Sequence, residues 1–112
     1  MQESSLGWKL DECLTKLDHG EWFLRFLARA SLRQRYPNDP RSIQAYVDAL
    51  AREDFPHTRE GIARALGFWP GGTGVERALE EASRRDENAR VRWAARYALL
   101  MRRDPWVVDA VP

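Results

Sequence analysis

One cysteine and two histidines among 112 residues leave little for a thiol nucleophile or a metal site. The lone Cys13 cannot form an internal disulfide, which agrees with a reducing compartment. His19 and His57 are too few to build a metal centre without further donors, so no metal site is expected. There is no nucleophile elbow and no Walker-type phosphate loop. The chain therefore reads as a non-enzyme with no cofactor and no catalytic residues. No apolar run approaches the roughly 20 residues of a membrane span. Residues 1–5 lack the basic and apolar regions of a signal peptide, making a cytoplasmic protein the expectation. No segment alternates with period two over a useful length, so no sheet is expected.

What is present is one apolar pattern written three times. Leu10, Cys13, Leu14 and Leu17 sit at helical spacing. The template returns as Ile43, Tyr46, Val47 and Leu50, then as Val75, Ala78, Leu79 and Ala82, at intervals of 33 and 32 residues. A fixed period of this size is the mark of stacked helical repeats, in which no unit buries its own apolar face. Cys13 holds a position taken elsewhere by Tyr46 and Ala78, so it reads as core filler.

Breakers separate the units. Tyr36-Pro37-Asn38-Asp39-Pro40 ends the first and Pro70-Gly71-Gly72-Thr73-Gly74 the second. The second breaker reads as an inter-repeat loop rather than an anion-binding nest, because it lacks a following Lys and follows a helix. Each unit holds an A and a B helix joined by a short turn. Ser5, Thr73 and Asn88 are candidate N-caps, and Gly20 is a candidate C′ residue closing the first helix. The inward face of the first B helix is expected to be Trp22, Phe23, Phe26, Leu27 and Ala30. That of the second is Ile62, Ala65, Leu66 and Trp69, and that of the third Val91, Ala94, Ala95, Ala98 and Leu99. Trp8, Trp22 and Trp69 read as packing residues. Aligning Leu27-Ala28-Arg29-Ala30 with Ile62-Ala63-Arg64-Ala65 sets the first B helix at an offset of 35 from the second, against 33 between the second and third.

The segment Asp86-Glu87-Asn88-Ala89-Arg90-Val91-Arg92-Trp93-Ala94-Ala95-Arg96-Tyr97-Ala98-Leu99 resembles the second half of a HEAT repeat of the bilin-lyase (PBS-lyase) type. The likeness lies in a turn Asp, then Val-Arg, an Ala-Ala pair and a later Ala-Leu. Residues 54–67 are a weaker copy. The resemblance implies an all-α fold: a short, right-handed HEAT-like solenoid of three antiparallel helical hairpins, six helices in one domain. Its repeats would span about residues 5–36, 40–69 and 73–103, with a tail at 104–112. It also implies that the B helices line the concave face. An Arg early in such a B helix is often structural, bonding a turn Asp of its own or the adjacent repeat; Arg59 with Asp54 and Arg92 with Asp86 fit that role.

Charge is unevenly divided. Sixteen of the eighteen basic residues are Arg, a residue that a GC-rich genome also encodes readily. The first B helix carries a charge of +4, the second +1 and the third +5, while the A helices carry −1, −1 and −2. Arg25, Arg29 and Arg33 form an i, i+4, i+8 stripe. Arg92 and Arg96 form another, with Trp93 beside it and off the apolar face. Arg makes planar, bidentate contacts to carboxylates and phosphates, and an aromatic among arginines is hot-spot composition. Covering by the apolar tail around Trp106 is the other fate open to Trp93. The expected function is a protein-binding module, such as an adaptor, an immunity-type inhibitor or a complex subunit. Its Arg25, Arg29, Arg33, Arg92, Trp93 and Arg96 would engage an acidic partner. Nucleic-acid binding through the same face is the alternative. No membrane or small-molecule partner is indicated.

Overall fold

The structure, a computed structural model, describes residues 7–72 and 74–104. The expected caps Ser5 and Thr73, and the tail around Trp106, lie outside these residues. All regular structure among the described residues is helical: α1 (Leu10–Lys16), α2 (Trp22–Arg35), α3 (Pro40–Arg52), α4 (Pro56–Phe68), α5 (Val75–Arg85) and α6 (Ala89–Arg103). No helix is long and apolar enough to cross a membrane. Residue contacts gather in two units, one up to Ala45 and one from Tyr46 onward.

In the first unit α1 packs on α2. Trp8, Cys13, Ala28, Leu32 and Ala45 form the core, with Leu10, Leu14, Leu17, Leu24, Leu27 and Tyr36 against it. Cys13 is fully buried, as its repeat position predicts. Burial pushes its thiol pKa up, against the opposing charge of Arg35, so the side chain stays a neutral filler. Arg35 Nη1 ties the end of α2 to the Trp8 carbonyl. Gly20 does not take the left-handed conformation expected of a C′ glycine. The chain instead leaves α1 through a turn in which the His19 N–H donates to the Lys16 carbonyl (3.1 Å).

The expected inward face of α2 is overturned. Trp22, Phe23 and Phe26 are 47%, 51% and 48% exposed, and Leu27 and Ala30 are half-buried. The buried residues are Ala28, Arg29, Ser31 and Leu32. The physical reason is an anchor at the start of the helix. Arg25 Nη1 reaches back to donate to the carbonyls of His19 (2.7 Å) and Gly20 (3.0 Å). Arg59 does the same to Glu53 (2.7 Å) and Asp54 (3.0 Å), and Arg92 to Asp86 (2.7 Å). Each anchor sets the rotation of its own helix. The residues three, four, six and seven places on are then Ala28, Arg29, Ser31 and Leu32 in α2, and Ile62, Ala63, Ala65 and Leu66 in α4, all buried. The true offset is therefore 34, from Arg25 to Arg59, rather than 35.

The second unit is built around α4 and α6, with α5 packed on α6. Ile62, Leu66, Val75, Leu79, Ala82, Val91, Ala94, Ala95, Ala98 and Leu99 are buried, close to the expected set. A fully buried Leu such as Leu66 or Leu79 stabilises by about 1.5–3 kcal/mol. Tyr46 and Trp69 meet edge to face, their ring centroids 5.0 Å apart. In α3 the buried residues are Ser42, Ala45, Tyr46, Ala49 and Leu50, with Ile43 and Val47 half-buried, and Glu53 is buried just past its end. The helix is thus turned slightly from its expected face. Asn88 caps α6 as its position predicts, its side chain accepting from the N–H groups of Arg90 (2.9 Å) and Val91 (3.2 Å). The loop after α4 is a plain connection. Its Gly71, Gly72 and Gly74 take positive φ, and Arg102 donates to the carbonyls of Leu66, Trp69 and Gly71.

Candidate functional site

The six sequence-predicted site residues have different fates. Arg25 is committed to the turn carbonyls described above. Arg29 is only 3% exposed. Arg33 is exposed. The three therefore do not form one solvent-facing stripe: i, i+4 spacing keeps side chains on one face, but this face turns under the core at Arg29.

On α6 the second stripe is more open. Trp93 is 60% exposed and stacks on Tyr97 with ring centroids 5.6 Å apart and planes 6° from parallel. Arg96 is exposed, its Nη2 making a long 3.3 Å bond to the Ser83 carbonyl. Leu100, one turn further on, is also exposed. Arg92 is half-buried. Besides Arg96, the other four arginines of α6 are engaged as well. Arg90 pairs with Glu60 (3.3 Å), and Arg103 with Glu80 (2.8 Å). Arg92 and Arg102 bond backbone carbonyls. Glu60 also takes Arg64 (2.7 Å) at the expected i, i+4 spacing. The charge of +5 is thus partly neutralised where α4 and α6 adjoin.

The electrostatic centre of this unit is the Arg59–Asp86 pair. Arg59 Nε donates to Asp86 Oδ2 (2.8 Å) and Nη2 to Oδ1 (3.1 Å), a bidentate clamp. Both side chains are buried, at 7% and 8% exposure. Burial alone raises the Asp86 pKa. Hydrogen bonds from Arg59 and the Asn88 N–H, with the charges of Arg59 and Arg92, outweigh it and hold the carboxyl below its ordinary value. The structural role expected for Arg59 is present, with a corrected partner: Asp54 offers its carbonyl, and the carboxylate comes from the following repeat. Arg92 likewise meets Asp86 through the backbone carbonyl.

Trp22, Phe23 and Phe26, expected inward, form an exposed aromatic cluster on α2 instead. Trp22 lies 6.5 Å from Phe23 and 6.2 Å from Phe26, both edge to face. The signal that would have found it is the Arg25–Arg59 register, which places Phe23 and Phe26 opposite the polar His57 and Glu60.

No cluster of metal-binding side chains occurs among the described residues. No curated protein and no solved structure matches the chain. The family model described as HEAT repeats matches residues 10–100. With that match, and with six helices among the described residues joined in pairs at turns held by equivalent arginines, this chain belongs to the HEAT-repeat family.

Proposed function

We propose that the chain is a non-catalytic protein-binding module whose α6 face engages an acidic partner surface, as an adaptor, an immunity-type inhibitor or a subunit of a complex. HEAT repeats are typically protein-interaction scaffolds and generally not catalytic. The observation that carries the reading is Trp93, 60% exposed and stacked on Tyr97, with Arg92 and Arg96 beside it. Trp and Arg are the residues most enriched where interfaces concentrate their binding energy. The stack holds the indole ring in place before any partner arrives, which lowers the ordering cost of association. Arg96 supplies a charge-assisted donor. Arg33, exposed on α2, is an independent donor in the other unit. Arg25 and Arg29 drop out of the proposal.

A stacked Trp–Tyr pair also suits a nucleic-acid base. The engagement of Arg64 and Arg90 by Glu60 weighs against that reading, since a phosphate backbone favours unneutralised cations. Affinity purification from the native host, with and without nuclease, separates the two. Capture of a protein that survives nuclease, and is lost with Trp93→Ala plus Arg96→Glu, is the expected result. Capture abolished by nuclease, with steep salt dependence on DNA of any sequence, would overturn it.

A further inference from the structure

The three anchoring arginines use only part of their guanidinium groups on the turn carbonyls. Arg59 shows what the remainder is for. While its Nη1 holds Glu53 and Asp54, its Nε and Nη2 clamp the Asp86 carboxylate that ends α5. Arg92 lies 33 residues on, in the equivalent place, and its Nη1 makes the equivalent bond to Asp86. Its Nε and Nη2 make no hydrogen bond or ion pair with any described residue. The same two donors that grip a carboxylate in α4 are thus unused in α6.

The surroundings say what kind of partner fits. On α4, the residues four and eight places after the anchor are Ala63 and Gly67, both buried. Gly67 is pressed so closely on α6 that an added Cβ would stand 2.8 Å from the Ala98 Cβ. The equivalent residues on α6 are Arg96 and Leu100, both exposed. A second copy docking as α6 docks on α4 would meet a Leu where only Gly fits. The face therefore does not take the α6 of a second copy in that register, while it keeps the carboxylate donors. The unused fork calls for an anion, and Leu100 with Trp93 calls for an apolar contact beside it.

We infer that Arg92 is a carboxylate clamp acting in trans, holding an Asp or Glu at the end of an acidic, amphipathic helix of a partner protein through Nε and Nη2. Leu100 and Trp93 pack against the apolar side of that helix, and Arg96 faces a second acid. The inference rests on the proposed protein-binding reading and names its contact.

The test uses the full chain and a synthetic helical peptide of about 18 residues, long enough to hold a helix. The peptide is built from Ala, Leu and Glu, ends in Asp-Glu, and has a twin carrying Asn-Gln at that end. NMR follows the Arg92 and Arg96 Nε–H and Trp93 indole signals during titration. Saturable shifts at Arg92 and Trp93 are expected. The Asn-Gln twin, and Arg92→Gln with the acidic peptide, should each bind about tenfold or more weaker, the worth of a charge-assisted bond. Arg92→Lys, which keeps the charge but not the fork, should recover little. The twin peptide keeps the test decisive if a variant fails to fold. Shifts at Trp93 and Arg96 without Arg92, or equal binding of both peptides, overturn the clamp and leave the broader reading standing. No shift at millimolar peptide overturns the clamp, and the broader reading is then judged by the capture experiment. Self-association in sedimentation that Leu100→Glu abolishes would make a second copy the occupant and overturn it too.

Discussion

Two glycines of α4 offer a matched perturbation. Gly61 and Gly67 are both inside the helix, and replacing either by Ala removes the same backbone freedom from the unfolded chain. In an isolated helix each change stabilises by about 1 kcal/mol. At Gly61 an added Cβ meets nothing within 4 Å, so Gly61→Ala should keep most of that gain, about 0.5–1 kcal/mol. At Gly67 the Cβ would lie 2.8 Å from both Ala98 Cβ and Met101 Cε, and 3.0 Å from Ala98 Cα. Ordinary carbon contacts lie at about 3.5–4.0 Å. The Met101 methyl can swing aside, but Ala98 is fixed to the backbone of α6, so the two helices must part. Overpacking of this kind costs about 1–3 kcal/mol. Because propensity and unfolded-state terms cancel between the two variants, their difference isolates that cost. For a chain of this length 1 kcal/mol moves the melting temperature by about 4 °C. Thermal melts followed by helical circular dichroism should therefore place Gly67→Ala about 4–12 °C below Gly61→Ala. If Gly67→Ala melts at or above Gly61→Ala, α4 does not approach α6 closely enough to require Gly, and Leu100 does not bar a second copy's α6 from the equivalent place.

Asp86→Asn leaves the buried Arg59 guanidinium with only the exposed Glu87, 3.7 Å away, as an ion-pair partner and should cost about 3 kcal/mol in urea unfolding at neutral pH. Asp86 has a folded pKa below the ordinary 3.8, so its contribution is complete above that value and is lost as pH falls through the folded pKa. The stability gap between native chain and variant should accordingly close below about pH 4; a gap independent of pH would refute the assignment. Asn88→Ala removes the cap of α6 and should cost about 0.5–2 kcal/mol by the same unfolding measurement. Trp93→Ala should change stability by less than about 1 kcal/mol, since the ring is largely exposed and loses mainly its stack on Tyr97. A large drop in melting temperature would make Trp93 a structural residue instead.

Helix number and order were legible in the residues themselves. The apolar triplet at a period near 33 and the Pro- and Gly-rich breakers locate all six helices to within a few residues over the described part. The Asn88 cap and the placement of Trp93 off the apolar face of α6 were legible too, because each depends on local spacing. The rotation of α2 was not. Trp22, Phe23 and Phe26 form a stronger apolar pattern than Ala28, Ser31 and Leu32, and periodicity favours the bulkier set. Which stripe is buried is set by the Arg25 bonds to His19 and Gly20 and by packing on α1, and neither is written in the local pattern.

The candidate site divides along the same line. Spacing identifies which arginines share a helix face, but not whether that face meets water, so Arg29 and Arg33 looked alike and lie in opposite environments. The sequence by itself determined a helical repeat with arginine-rich B helices, because period and composition are properties of the chain. Tertiary structure alone decided which arginines are spent. A guanidinium satisfied by carbonyls or a buried carboxylate, like that of Arg59, is structural, whereas the same group at Arg92 keeps two donors unused because no carboxylate among the described residues meets them.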